Sequence, residues 1–152
     1  MTQTLSRAGA TSVPRTTNPT FEVKFGDGRD DTFYPLQYHL HAPSEHSING
    51  KLMDLELHIV HVDAQGTPAA VIGFLFQVSN DGDATNVALD GLLPRNYNST
   101  SATAELNLGR FLETVDISEF YNYDGSFTTP PCTEGINWFV VKDVQKISQA
   151  QL

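Results

Sequence analysis

This chain of 152 residues is short of cysteine, tryptophan and positive charge, with one cysteine, one tryptophan and nine lysines and arginines. With Cys132 alone, no disulfide can close within the chain and no cysteine-based structural zinc site can be built. Cys132 itself reads either as a small buried hydrophobe or as half of a disulfide whose mate lies elsewhere. Against the nine basic residues stand 18 acidic ones, giving a net charge of −9 and a pI near 4.7. The chain therefore lacks the basic footprint that nucleic acid or an anionic membrane surface requires, and no nucleic-acid partner is expected. No run of about 18 apolar residues occurs, so no helix is expected to span a membrane. The opening "MTQTLSRAGATSVPRTTNPT" lacks the apolar core of about 7–15 residues that a signal peptide needs, and no export signal is expected in it. A His-Glu-x-x-His helix is also missing, which removes zinc hydrolases that rely on a glutamate base of that kind. Internal repeats are absent.

What the chain does have is nine phenylalanines and a hydrophobic fraction of 39%, enough for one folded domain with a substantial core. Residues 1–19, rich in Thr, Ser and Arg and without hydrophobic periodicity, are expected to form a loose lead-in to a domain over 20–152. "TFEVKF" alternates Phe21, Val23 and Phe25 with polar residues, the pattern of a half-buried strand, and "GDGRDD" reads as a turn or short hairpin loop. "FYPLQYHLHA" is a strand ending at Pro43, with Gln37, His39 and His41 on one face. "LMDLELHIVHVD" is a second, with Asp54, Glu56, His58 and Val60 on one face. "AAVIGFLFQVS", apolar on both faces, is a central strand. One short helix is expected near 85–92, "FYNYDGSFTTPPCTEG" reads as a loop, and "INWFVVKDV" as a further strand. The fold class is mainly β with short helices.

All five histidines lie between His39 and His61. The β period of two sends His39 and His41 to the same side, and His58 completes a triangle if the two strands pair antiparallel in a suitable register. Three neutral imidazoles on rigid strands form an open zinc site with room for a water. Gln37 and Glu56 each stand two residues before a histidine, on its face, where they can accept the second ring N–H. The competing reading takes these residues as the polar positions of amphipathic strands. His46 reads as a hydrogen-bonded structural residue, and His61 points away from His58. Glu45, Thr128 and Thr129 are ordinary surface or loop residues unless the fold joins them. Together, a threonine that donates to a carboxylate must accept from its other neighbour, which orients a nucleophile beside it.

Three blocks, "LQYHLHAPSEHSINGK", "ELHIVH" and "YDGSFTTPPCTEGINWFVV", resemble in order and approximate spacing the signature segments of the α-class carbonic anhydrases. The similarity runs from about Phe21 to about Ser148. The resemblance implies a large twisted, mostly antiparallel sheet, incomplete here, and Zn²⁺ held by His39, His41 and His58. It assigns Gln37 and Glu56 as partners of His39 and His58, Thr128 as the gatekeeping threonine and Glu45 as its carboxylate partner. Thr129 borders substrate, while Val60, Val71, Phe127, Ile136 and Trp138 match the apolar wall for carbon dioxide. His46 and Tyr123 match a buried structural pair. The implied reaction is reversible hydration of carbon dioxide to bicarbonate and a proton through zinc-bound hydroxide. The alternative is a zinc-binding but catalytically impaired fragment that acts as an interaction module.

The chain departs from the family at both ends. The family's N-terminal portion carries, in many secreted members, a cysteine that pairs at the position of Cys132, so the resemblance implies a lost disulfide partner. Asn98-Ser99-Thr100 fits the N-glycosylation acceptor pattern, and with Cys132 it suggests secreted or extracytoplasmic ancestry. Pro19 stands where the family's usual histidine proton shuttle aligns. The family's C-terminal portion supplies sheet strands and a backbone acceptor for the ring N–H of His41. Strands missing from a continuous sheet are expected to leave exposed edges prone to self-association.

Overall fold

The computed structural model describes residues 4–7, 21–24, 30–80, 85–90 and 108–152. Strands β1 (Thr4–Arg7), β2 (Phe21–Lys24), β3 (Asp30–His41), β6 (Leu55–Val62), β7 (Pro68–Val78), β8 (Phe120–Ser126), β9 (Glu134–Val141) and β10 (Gln145–Ile147) form one sheet. Its order is β1-β2-β3-β6-β7-β9-β8, with β10 also paired to β7. Pairing is antiparallel except where β7 meets β9 and β10, both parallel. A separate small hairpin joins β4 (Ser47–Ile48) to β5 (Lys51–Leu52), and two short helices, α1 (Val87–Asp90) and α2 (Leu108–Leu112), complete the described elements.

The middle strands are central for the reason their sequences suggest. β6 is buried along almost its whole length and β7 through its middle, so both faces are covered. On one face Leu57, Ile59, Ile72, Phe74 and Phe139 form the main core, closed by Leu89 of α1 and by Leu108 and Phe111 of α2. Phe111 meets Phe74 edge to face at 4.9 Å between ring centroids. The other face carries a smaller cluster of Val60, Val71, Ile136 and Trp138, beside which the histidines stand.

Several expectations are corrected. Within the supposed loose lead-in, Thr4–Arg7 pair in register with β2, Leu5 opposite Val23; the rest of that lead-in lies outside the described residues. The "GDGRDD" segment does join two antiparallel strands, β2 and β3, but its Asp30 and Asp31 already belong to β3. Phe120–Ser126, read as loop, is a strand antiparallel to β9, because pairing with the apolar β9 outweighs the turn propensity of Asp124-Gly125. The β4–β5 hairpin, α2 and β10 had no counterpart in the sequence reading. The helix expected near 85–92 is α1, confined to Val87–Asp90 among the described residues.

Candidate metal centre

Register decides the site. β3 and β6 pair so that His39 lies directly opposite His58, and His41 opposite Glu56. The three rings of His39, His41 and His58 gather with centroids 4.6–5.2 Å apart. One ring nitrogen from each lies within 4.8 Å of the other two.

Hydrogen bonds settle which nitrogens face inward. His39 Nδ1 donates to Gln37 Oε1 at 3.0 Å, leaving Nε2 with a lone pair. His58 Nε2 donates to Glu56 Oε1 at 2.9 Å, leaving Nδ1. His41 Nε2 is buried with no hydrogen-bond partner. Burial, and then the neighbouring His58 and His41, push His39 down to about 4, against a smaller opposing pull from Glu45. It is therefore neutral, and able to ligate, at pH 7. A buried, unpartnered imidazole nitrogen beside two fixed tautomers is a donor set suited to zinc.

Glu56 is the hub of this region. It is fully buried, and its Oε2 accepts from the backbone N–H groups of Glu45 and His46, both at 2.9 Å. Its Oε1 accepts from His46 Nδ1 at 2.6 Å as well as from His58. Burial alone would raise this carboxyl, but the hydrogen bonds from His46 and His58 prevail and hold it well below the usual carboxylate range. His46 passes the chain outward, since its Nε2 accepts from the Tyr123 hydroxyl at 2.6 Å. Burial, then the carboxylates of Glu56 and Glu45, push Tyr123 up to about 12. Ser44 holds the turn in place: its Oγ donates to His46 O at 2.7 Å and accepts from Met53 N at 2.9 Å. The resemblance gives His46 and Tyr123 as a buried structural pair; the two are hydrogen-bonded, but Tyr123 is 43% exposed rather than buried.

Two residues contribute in ways the sequence reading missed. Gly73, on β7 opposite His58, leaves room for Glu56: a Cβ there would lie 2.8 Å from Glu56 Oε1. A lone glycine in the middle of an apolar strand was the available signal. Trp138, read only as cavity wall, also braces the network. Its ring meets those of His58 at 4.8 Å and His46 at 5.0 Å, and its Nε1 donates to Ser126 O at 3.0 Å.

Beside the centre is a cavity of about 150 Å³ lined by Gln37, His39, His58, Val60, Val71, Phe127, Thr128, Thr129 and Trp138. Ile136 packs in the same apolar cluster but does not line the cavity. Glu45 turns its carboxylate toward the histidines, Oε2 lying 3.5 Å from His41 Nε2 and 3.9 Å from His58 Nδ1. Among the described residues no hydrogen bond joins Glu45 to Thr128, and none involves His41 Nδ1. His61 is buried on the opposite face, its Nδ1 donating to Ile59 O at 2.8 Å. Cys132 is a free, exposed thiol. Asn98 and Pro19 lie outside the described residues.

The family model for eukaryotic-type carbonic anhydrase matches residues 2–152. The chain belongs to the α-class carbonic anhydrase family. Among curated members it is 41% identical over 128 residues to alpha carbonic anhydrase 4 of Arabidopsis thaliana, covering 82% of this chain and 45% of that protein. Alpha carbonic anhydrase 6 of the same plant is 38% identical over 128 residues, covering 78% and 46%. The solved Photobacterium profundum α-carbonic anhydrase superposes with a TM-score of 0.71 at 37% identity, covering 90% of this chain and 59% of that one. The chain thus spans about half the length of the curated carbonic anhydrases it matches, and its mostly antiparallel sheet is the incomplete fold of that family.

Proposed function

We propose that this chain catalyses the reversible hydration of carbon dioxide to bicarbonate and a proton, with Zn²⁺ held by His39 Nε2, His41 Nε2 and His58 Nδ1. The observation that carries this reading is the convergence of three ring nitrogens, two of them with tautomers fixed by Gln37 and Glu56, beside a cavity that His39 and His58 line together with Val60, Val71, Phe127 and Trp138. Zinc bound there supplies the Lewis acidity that makes a water nucleophilic near neutral pH. The residues do the rest. Val60, Val71, Phe127 and Trp138 offer a small apolar surface suited to an apolar, linear substrate. Thr128, at the cavity with Thr129, accepts a hydrogen bond from the nucleophile and so aims its lone pair, and Glu45 serves as the anchor that Thr128 donates to in the working state.

Activity is reduced relative to longer family members. His41 has no acceptor for Nδ1 among the described residues, and losing such a partner typically costs about 10–100-fold in metal affinity or activity. By resemblance Pro19 replaces the shuttle histidine, so proton transfer limits turnover. Added imidazole buffer is therefore expected to raise the rate; a rate indifferent to buffer contradicts this limit. The Asn98 acceptor pattern and the lone Cys132 support a secreted or extracytoplasmic setting for this reading. Stopped-flow carbon dioxide hydration by the zinc-loaded chain, set against His58→Ala and Thr128→Ala, tests the reading. Hydration lost in His58→Ala and reduced in Thr128→Ala is expected. Zinc-loaded parent chain with no hydration favours a catalytically impaired binding module.

A further inference from the structure

Glu45 differs from the other polar groups around the three histidines. Its backbone is clamped: its N–H donates to Glu56 Oε2 at 2.9 Å, and the hydroxyl of the preceding Ser44 bridges His46 O and Met53 N. Its carboxylate is not, since among the described residues no N–H or O–H is hydrogen-bonded to it. What the carboxylate faces is nitrogen, with Oε2 lying 3.5 Å from His41 Nε2 and 3.9 Å from His58 Nδ1. His58 Nδ1 carries a lone pair, because the ring proton is on Nε2 and goes to Glu56. His41 Nε2 is buried with no hydrogen-bond partner. An anionic oxygen aimed at lone-pair nitrogens is repelled unless a cation lies between them. Donor atoms that share a tetrahedral zinc, each about 2.0–2.1 Å from the ion, are separated by roughly 3.3 Å. The Glu45 oxygen is thus spaced from two of the imidazole nitrogens much as a fourth ligand would be. β3 and β6, which carry the histidines, are each flanked by strands on both sides, so this spacing is set inside the sheet.

We propose that Glu45 is a further metal ligand of this centre, its carboxylate taking the open fourth position in a resting state and yielding it when it turns to Thr128. The inference rests on the three-histidine zinc reading and adds a closed state to it. Thr128 lines the neighbouring cavity. One carboxylate can therefore serve as ligand or as acceptor for Thr128 by turning about its own side-chain bonds while the backbone stays clamped. The consequence is competition. A water or an added anion reaches the metal only in the fraction of molecules whose Glu45 is turned away, and its apparent affinity is reduced by that fraction.

Glu45→Gln and Glu45→Asp together test this. Gln removes the charge, whereas Asp keeps the charge and withdraws it by one methylene, out of reach of an ion held by the histidines. Azide binding is read from the visible absorption of the cobalt(II)-loaded chain, and zinc affinity by competition with a chelator. Both variants are expected to bind azide about tenfold or more tightly than the parent. Both are also expected to hold zinc about tenfold or more weakly. If Glu45 acts only through its field, Asp behaves as the parent and Gln alone shifts, which overturns the proposal. Equal azide and zinc affinities in all three chains overturn it as well. A parent chain that binds neither metal stoichiometrically fails at the three-histidine reading itself, a result distinct from both.

Discussion

Glu56 fixes one proposed zinc ligand and the loop beside it with a single carboxylate. It receives four hydrogen bonds, two from side chains and two from backbone. Glu56→Gln replaces an acceptor oxygen by a donor, so at least one of these bonds must turn repulsive. Zinc affinity, read by competition with a chromogenic chelator, is expected to fall about 10–100-fold. Gly73→Ala acts on the same carboxylate through space: its Cβ would press Glu56 Oε1 from 2.8 Å, with the His58 and Val140 side chains also within 3.8 Å. Both zinc affinity and melting temperature are expected to drop, whereas a neutral result would show that Glu56 can shift freely. His61 makes a prediction on the opposite face. Burial lowers its folded pKa from 6.5 to about 4, partly offset by its bond to Ile59 O. Between those values the unfolded chain binds more protons, so stability falls as pH drops from about 6.5 toward 4, by on the order of 3 kcal/mol from this group. Denaturant titrations across that range should show the slope, and His61→Gln should flatten it. Gln37, His39, His41, Glu56 and His58 were legible in part: the strand period puts each on its face, and the resemblance to the α-class carbonic anhydrases assigns their roles. Gly73 was not, because its role depends on which residue the β6–β7 register sets opposite.

At the scale of elements, β3, β6, β7 and β9 announce themselves by alternation or by continuous apolar runs, and the structure places them side by side. β8 did not, since "FYNYDGS" mixes exposed aromatics with a turn dipeptide and gains its strand form only from β9. The five-residue α2 is likewise held by tertiary packing rather than propensity, for a helix that short is not stable alone. Phe111 is its anchor, fully buried against Phe74 and Phe76. Phe111→Ala is expected to cost about 3–5 kcal/mol of folding free energy, measurable by denaturant unfolding. A loss below about 1 kcal/mol would mean that α2 is dispensable to the core.

For the molecule as a whole, the site and the scaffold are unequally complete. The three histidines, their partners Gln37 and Glu56, and the apolar cavity are assembled within β3, β6, β7, β9 and the loop after β8. The chain nevertheless spans about half the length of its curated relatives, and Glu45 and Thr128 are not hydrogen-bonded to each other among the described residues. The three-histidine cluster is thus the part of the proposed centre that β pairing assembles. Calorimetric titration of the metal-free chain with zinc tests that most directly. One zinc per chain is expected, with affinity sharply reduced in each of His39→Ala, His41→Ala and His58→Ala but retained in His61→Ala. Absence of stoichiometric binding, or affinity that survives the loss of His58, would contradict the three-histidine centre.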